Sequence, residues 1–181
     1  MDMTAPKGKT ADLRFHDGKF RIMQVADTQD TQVTSKDTLG FVAAALDHAC
    51  PDLVVFTGDQ FKGYGVSFLA GDRERNFEKA IGNLIAPFEE RGVPFTFVFG
   101  NHDDQAFGIS KEKQLKLYQA HKNCLAVAGD ETLEGLCNQY LNIRSSDGER
   151  IVFNLYLIDS LSTTLDGRCA SVTKGQIEWY R

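Results

Sequence analysis

Three oxygen-bearing residues stand directly after short apolar runs: Asp27 after Arg21-Ile22-Met23-Gln24-Val25-Ala26, Asp59 after Leu53-Val54-Val55-Phe56-Thr57-Gly58, and Asn101 after Phe95-Thr96-Phe97-Val98-Phe99-Gly100. A fourth run, Ile151 to Ile158, stops at Asp159. Two carboxylates and an amide oxygen brought to one edge make a hard, oxygen-rich site, suited to magnesium, manganese or iron rather than to thiolate-bound zinc. Each residue alone is as well explained as a turn or helix cap. What raises the signal is that the same design recurs.

The elements that must position these residues are legible in the hydrophobic pattern. Runs that are continuously apolar, rather than alternating, predict strands buried on both faces, as in a sheet covered by helices. Between the first two runs, Leu39, Val42, Ala43, Leu46 and Ala49 follow helical spacing over Thr38 to Cys50, with Pro51 at the end. Between the second and third, Phe77, Ala80, Ile81, Leu84, Ile85 and Phe88 mark a helix over Asp72 to Arg91, stopped by Gly92. Strand and helix in alternation predict an α/β fold with neighbouring parallel strands. In such a sheet, ligands bind beyond the carboxyl ends of the strands. Asp27, Asp59 and Asn101 occupy that edge.

Other segments read as accessories. Leu13 to Phe20 predicts a hairpin turning at Asp17-Gly18, and Gln139 to Ile158 a second one turning at Asp147-Gly148. A polar helix is expected over Ser110 to Asn123, with Lys111, Lys113, Lys116 and Lys122 on a solvated face. Thr173-x-x-Gln176 is a capping box opening a last helix that stops after about two turns, as though cut inside an element.

Read with their neighbours, the strand ends spell Asp27-Thr28-Gln29, Gly58-Asp59-Gln60 and Gly100-Asn101-His102-Asp103. This order resembles the calcineurin-like metallophosphoesterase superfamily, whose first three blocks are Asp-x-His, Gly-Asp and Gly-Asn-His-Asp/Glu at strand ends. Gln-Val-Ala-Asp around Asp27 and Gln-Ile-Glu-Trp near the end look most like the branch of purple acid phosphatases and Icc-type phosphohydrolases. The resemblance runs from about Phe20 to Arg181. It implies a layered fold, helices packed on a mixed β-sheet, and hydrolysis of phosphate monoesters or diesters at a dinuclear centre of manganese, iron, zinc or magnesium. Asp27 would bind the first ion, Asp59 bridge both, and Asn101 bind the second. A bound hydroxide would attack phosphorus, with His102 as general acid or transition-state stabiliser, oriented by Asp103.

Two departures qualify this. Gln29 stands where the family most often has histidine, and its amide is a weaker ligand for iron or zinc than imidazole. The later histidines that complete the family's site have no counterpart: His121 falls in the polar helix, predicted solvated, and His16 and His48 match no block. The resemblance therefore makes residues 1–181 the first half of such a domain, with the second sheet incomplete and an exposed half open to self-association. A second reading stays open, a non-catalytic fragment that keeps part of the metal site and binds a metal or a protein partner. A haloacid-dehalogenase-like phosphatase would need Asp-x-Asp after the first strand, which Asp27-Thr28-Gln29 does not supply.

Composition narrows the partners. Among 181 residues, 42% are hydrophobic and 25% charged, as in an ordinary globular protein, and the net charge of -5 opposes binding duplex nucleic acid through many phosphates. A small phosphate ester or a phosphoprotein remains the expected substrate. No apolar run reaches the roughly 18 residues of a membrane span, and Met1 to Ala11 holds no apolar signal region, which predicts the cytoplasm. The four widely spaced cysteines are expected to be reduced and mostly buried. Lys62-Gly63-Tyr64-Gly65 reads as an ordinary loop, Phe107 as a packing residue, and Asp30, Asp104 and Asp159 as caps or solvated groups.

Overall fold

The computed structural model describes residue 9 and residues 11–64, 68–162 and 168–181. Three strands, β1 (Ile22–Val25), β2 (Leu53–Phe56) and β3 (Phe95–Phe97), form a parallel sheet in that order. The register pairs Ile22 with Leu53 and Val54 with Phe95. Helices α1 (Lys36–Ala49) and α2 (Arg73–Arg91) make the crossovers. The expected α/β class holds.

Period-two geometry sorts β2 between two cores. Val54 and Phe56 point toward the helices, in a core with Val42, Leu46, Phe77, Ile81, Leu84 and Phe88. Leu53 and Val55 point the other way, against Ile143 and Leu157 of the antiparallel pair β4 (Gln139–Arg144) and β5 (Ile151–Leu157). Burial on both sides is why this strand reads as continuously apolar. The second sheet is small, as expected. At Asp17-Gly18 the first hairpin turns with both φ positive, and Leu13 and Phe15 then bond to Arg144 along the edge of β4. The start of β5 stays open, with Ile151, Val152 and Phe153 each 49% exposed.

Helix ends follow local chemistry. Ser35 caps α1 and so moves its start ahead of Thr38, Asp72 caps α2 through the Arg75 amide, and Gly92 closes α2 with a left-handed φ of 66°. Ser110 is the cap of α3 (Lys111–Gln119) rather than its first residue, and 120–123 forms turns instead of helix. The capping box at Thr173 opens α4 (Lys174–Tyr180) as predicted. That helix is held by Gln176, fully buried, whose amide donates to the carbonyls of Glu134 and Asp159 and to Asn138 Oδ1.

Several expectations are corrected. Cys124 and Cys137 are buried, but Cys50 and Cys169 are exposed free thiols. Phe107 does not pack into the core; it is 67% exposed, with the Arg73 guanidinium over its ring. Lys111 leaves the solvated face and reaches Asp159 at 3.3 Å, a carboxylate only 1% exposed. A buried carboxylate needs a cation or donors, and it takes both, since Leu136 and Leu161 amides also bond to it. His121 is half-buried past the end of α3 rather than solvated on it. Among the described residues, no helix is long and apolar enough to cross a membrane.

Candidate functional site

The strand-end residues are assembled by main-chain bonds that run past the sheet itself. Asp27 N–H donates to Gly58 C=O at 3.1 Å, Gln29 N–H to Asp59 C=O at 3.0 Å, and Asp30 N–H to Gln60 C=O at 3.2 Å. The Thr28 hydroxyl also donates to Gln60 C=O. Thus the first and second blocks lie side by side. Asp27, Gln29 and Asp59 all hold left-handed φ values, of 54°, 41° and 55°. Non-glycine residues rarely adopt this region and persist in it only where surrounding structure enforces it.

The second and third blocks are joined by side chains. Asp59 Oδ1 accepts the His102 N–H at 2.9 Å, while Asp103 Oδ2 accepts the N–H groups of Asp59 at 2.8 Å and Gly100 at 2.7 Å. The two blocks approach so closely that a Cβ on Gly58 would stand 2.7 Å from Gly100 Cα, and one on Gly100 would stand 2.6 Å from Asp59 N. Glycine is required at both places for reasons of space.

Asp103 is therefore a latch between turns. Its oxygens bond to main chain at Asp59 and Gly100, while at the His102 ring Gln105 Oε1 lies 2.9 Å from Nδ1. With its amide nitrogen turned toward Asp103, the buried Gln60 donates to Oδ2 at 3.0 Å and accepts from Gly58 N–H at 3.2 Å. Burial pushes the Asp103 carboxyl up to about 6, and the neighbouring Asp59 carboxylate adds to the rise; amides of Gly100, Asp59 and Phe61 partly oppose it. Buried Gln114 donates to Asp103 C=O at 2.8 Å, seating the 3₁₀ turn Asp103–Gln105 on α3.

Around His102, the Tyr64 ring stands 4.5 Å away, centroid to centroid, and Lys62 Nζ lies 5.0 Å from the Tyr64 centroid. The Tyr64 hydroxyl is 3.3 Å from Gln29 Oε1. Tyr64 thereby links the first block to the third; Gly65, the last residue of that loop motif, lies outside the described residues. Asn101 and Asp27 are exposed, whereas Asp59 is only 9% exposed. Sequence reasoning missed Gln60, Gln105 and Gln114. Only the position of Gln105, three residues after His102, gave any signal for one of them.

The donor set suits a hard divalent cation in kind: two carboxylates, with amide oxygens at Gln29 and Asn101. It is short in number. Among the described residues, no group of three or more histidine, cysteine or acidic side chains converges to hold a metal.

A family model described as calcineurin-like phosphoesterase matches residues 20–167. The chain is 29% identical to a protein named probable inactive purple acid phosphatase 14 from Arabidopsis thaliana, over 93% of this chain and 47% of that one. It is 31% identical to phosphatase DCR2 from Saccharomyces cerevisiae, over 80% of this chain and 27% of that one. The chain thus spans half or less of the length of these relatives. In structure it is similar to a dimetal phosphatase from Danio rerio, with a TM-score of 0.53 at 17% identity, covering 89% of this chain and 50% of that one.

Proposed function

The chain belongs to the calcineurin-like phosphoesterase family, and on that premise we propose that it carries the first part of a metal-dependent phosphohydrolase centre, acting on phosphate monoesters or diesters, small or protein-borne. One observation carries the reading: Asp59, in the second block, is bonded to both of the others, through its carbonyl to Gln29 of the first and through its carboxylate and amide to His102 and Asp103 of the third. Asp27, Gln29, Asp59 and Asn101 would hold divalent ions, manganese, iron, zinc or magnesium. Such ions polarise a phosphoryl oxygen and lower the pKa of a bound water toward neutrality.

The chain's own residues do the rest. Asp59, locked by two neighbouring turns, presents its carboxylate without needing to reorganise. His102 offers an imidazole beside it, and can carry a proton to or from a substrate oxygen. Asp103, buried, takes no substrate contact and keeps the two loops in register.

A second reading has its own support: the first-named relative is called probable inactive, and the acidic donors here are few. On it the chain binds a metal or a partner and turns nothing over. The test is hydrolysis of nitrophenyl phosphate mono- and diesters with and without manganese, alongside manganese titration calorimetry. Manganese-dependent turnover, lost in Asp59→Asn, is the expected result. Full turnover in Asp59→Asn would overturn the reading, and manganese binding without turnover would favour the second.

A further inference from the structure

His102 has two ring nitrogens, and the one that is protonated decides what it can do to a substrate. Around Nδ1 the structure places two groups with opposite demands. Gln105 Oε1 stands at 2.9 Å and the Asn101 amide nitrogen at 3.4 Å. An oxygen at 2.9 Å from an unprotonated ring nitrogen would set two lone pairs against each other, whereas an Nδ1–H makes the same distance a good hydrogen bond. The Asn101 contact is long and cannot offset that. The ring is also held from one face by Tyr64, itself anchored through its hydroxyl to Gln29.

We propose that Gln105 is a positioning residue that fixes the neutral His102 ring as its Nδ1–H tautomer, with the tilted Tyr64 ring against it, so that Nε2 is the nitrogen that exchanges protons with a substrate oxygen. The catalytic meaning of this rests on the phosphohydrolase reading above. Its chemistry balances over a cycle. As a water oxygen bonds to phosphorus, the neutral ring takes the water's proton at Nε2, and Nε2–H then gives that proton to the departing ester oxygen, whose bond to phosphorus breaks with the electron pair moving to that oxygen. The ring returns to Nδ1–H. Because Gln105 Oε1 is an acceptor that never ionises, it keeps its bond to Nδ1–H in both states and neither traps nor expels the proton. A carboxylate there would hold the imidazolium more firmly.

The inference makes Gln105 matter although it is exposed. It also assigns separate tasks to neighbours in one turn: Asp103 faces inward to the main chain of the second block, and Gln105 faces the ring.

The test reads the tautomer directly, by two-bond nitrogen–proton correlation spectra of the whole chain labelled with 15N-histidine, near pH 8.5 and so above the ordinary histidine range. The spectrum of His102→Asn identifies the His102 signals among the four histidines. The expected result is a majority of Nδ1–H in the wild type, a shift to a majority of Nε2–H in Gln105→Leu, and recovery of Nδ1–H in Gln105→Glu, whose oxygen occupies the same place. An Nε2–H majority in the wild type, or no change in Gln105→Leu, would overturn the inference. In turnover of nitrophenyl phosphate, Gln105→Leu should lower kcat by about ten- to a hundredfold with KM nearly unchanged, the range seen when an orienting partner is lost. The tautomer is read without turnover, so a wild type that hydrolyses nothing counts against the phosphohydrolase reading alone.

Discussion

Asp103 offers a quantitative test of how the two loops are joined. Its carboxyl is 1% exposed and raised from 3.8 to about 6, chiefly by burial. One decade in an acid constant is about 1.4 kcal/mol, so this rise means that ionised Asp103 weakens the fold by about 3 kcal/mol relative to its protonated form. Because the folded value lies above the unfolded one, the folded chain binds more protons between them, and stability falls as pH rises from about 4 through about 6. For a chain of this length, about 3 kcal/mol is roughly 6–12 °C in Tm. Asp103→Asn keeps an oxygen to accept the Asp59 and Gly100 amides but cannot titrate. The assay is urea unfolding of both proteins from pH 4 to 7.5 in EDTA, so that no cation near Asp59 favours the charged form. Exposed carboxyls whose values are lowered, such as Asp47 beside Arg91 and Asp130 beside Thr132, drive stability the opposite way, but equally in both proteins. The difference curve should therefore isolate Asp103, with Asp103→Asn gaining on the wild type as pH rises through 6. Parallel curves would refute the reasoning.

Gly100→Ala should destabilise by about 1–3 kcal/mol, the range for forcing atoms into a filled site, and abolish manganese-dependent turnover; thermal melts and the nitrophenyl phosphate assay check both. Gln29→Gly removes the proposed amide ligand and the Tyr64 contact but relieves a left-handed φ of 41°, so calorimetry should find weaker manganese binding while Tm in EDTA stays within a few degrees. Gln176→Ala removes the donor to Asp159 C=O, while Glu134 C=O keeps Asn138 Nδ2 and Asn138 Oδ1 keeps the Asp159 N–H; this should cost about 1–3 kcal/mol and accelerate hydrogen exchange in α4 ahead of the parallel sheet.

What could be read in the sequence is what local pattern dictates. The runs before Asp59 and Asn101 are apolar because β2 and β3 are buried throughout, whereas the run before Asp27 departs from that expectation, β1 alternating between exposed Ile22 and Gln24 and half-buried Met23 and Val25; the glycines at 58 and 100 mark where two segments meet. What could not be read depends on partners distant in sequence. Lys111 has the spacing of a solvated helix lysine, and only the fold brings Asp159, 48 residues later, into its reach. Asp103 follows a histidine, which suggests a pair, yet its bonds go to main chain 44 residues earlier. Phe107 has the side chain of a core residue and lies on the surface, because the 3₁₀ turn Asp103–Gln105 ends at Ala106, which is buried, and leaves Phe107 outside it.

The left-handed residues explain how a sheet built for burial delivers side chains for chemistry. In an extended chain, positions two apart share a face, so Asp27 would follow Val25 against the packed layers. Val25 is indeed partly buried on the helix core, but at Asp27 φ becomes 54° and the side chain is exposed. The same device recurs at Asp59, and at Gln29 within the first block. Each such residue costs roughly 1–2 kcal/mol. The cost is offset by bonds between blocks, Asp27 to Gly58, Gln29 to Asp59, and Asp59 to both His102 and Asp103. Strain at each strand end is thus tied to a bond with another strand end. Relaxing one turn would release its neighbour as well, so the geometry at this edge should be lost cooperatively rather than residue by residue.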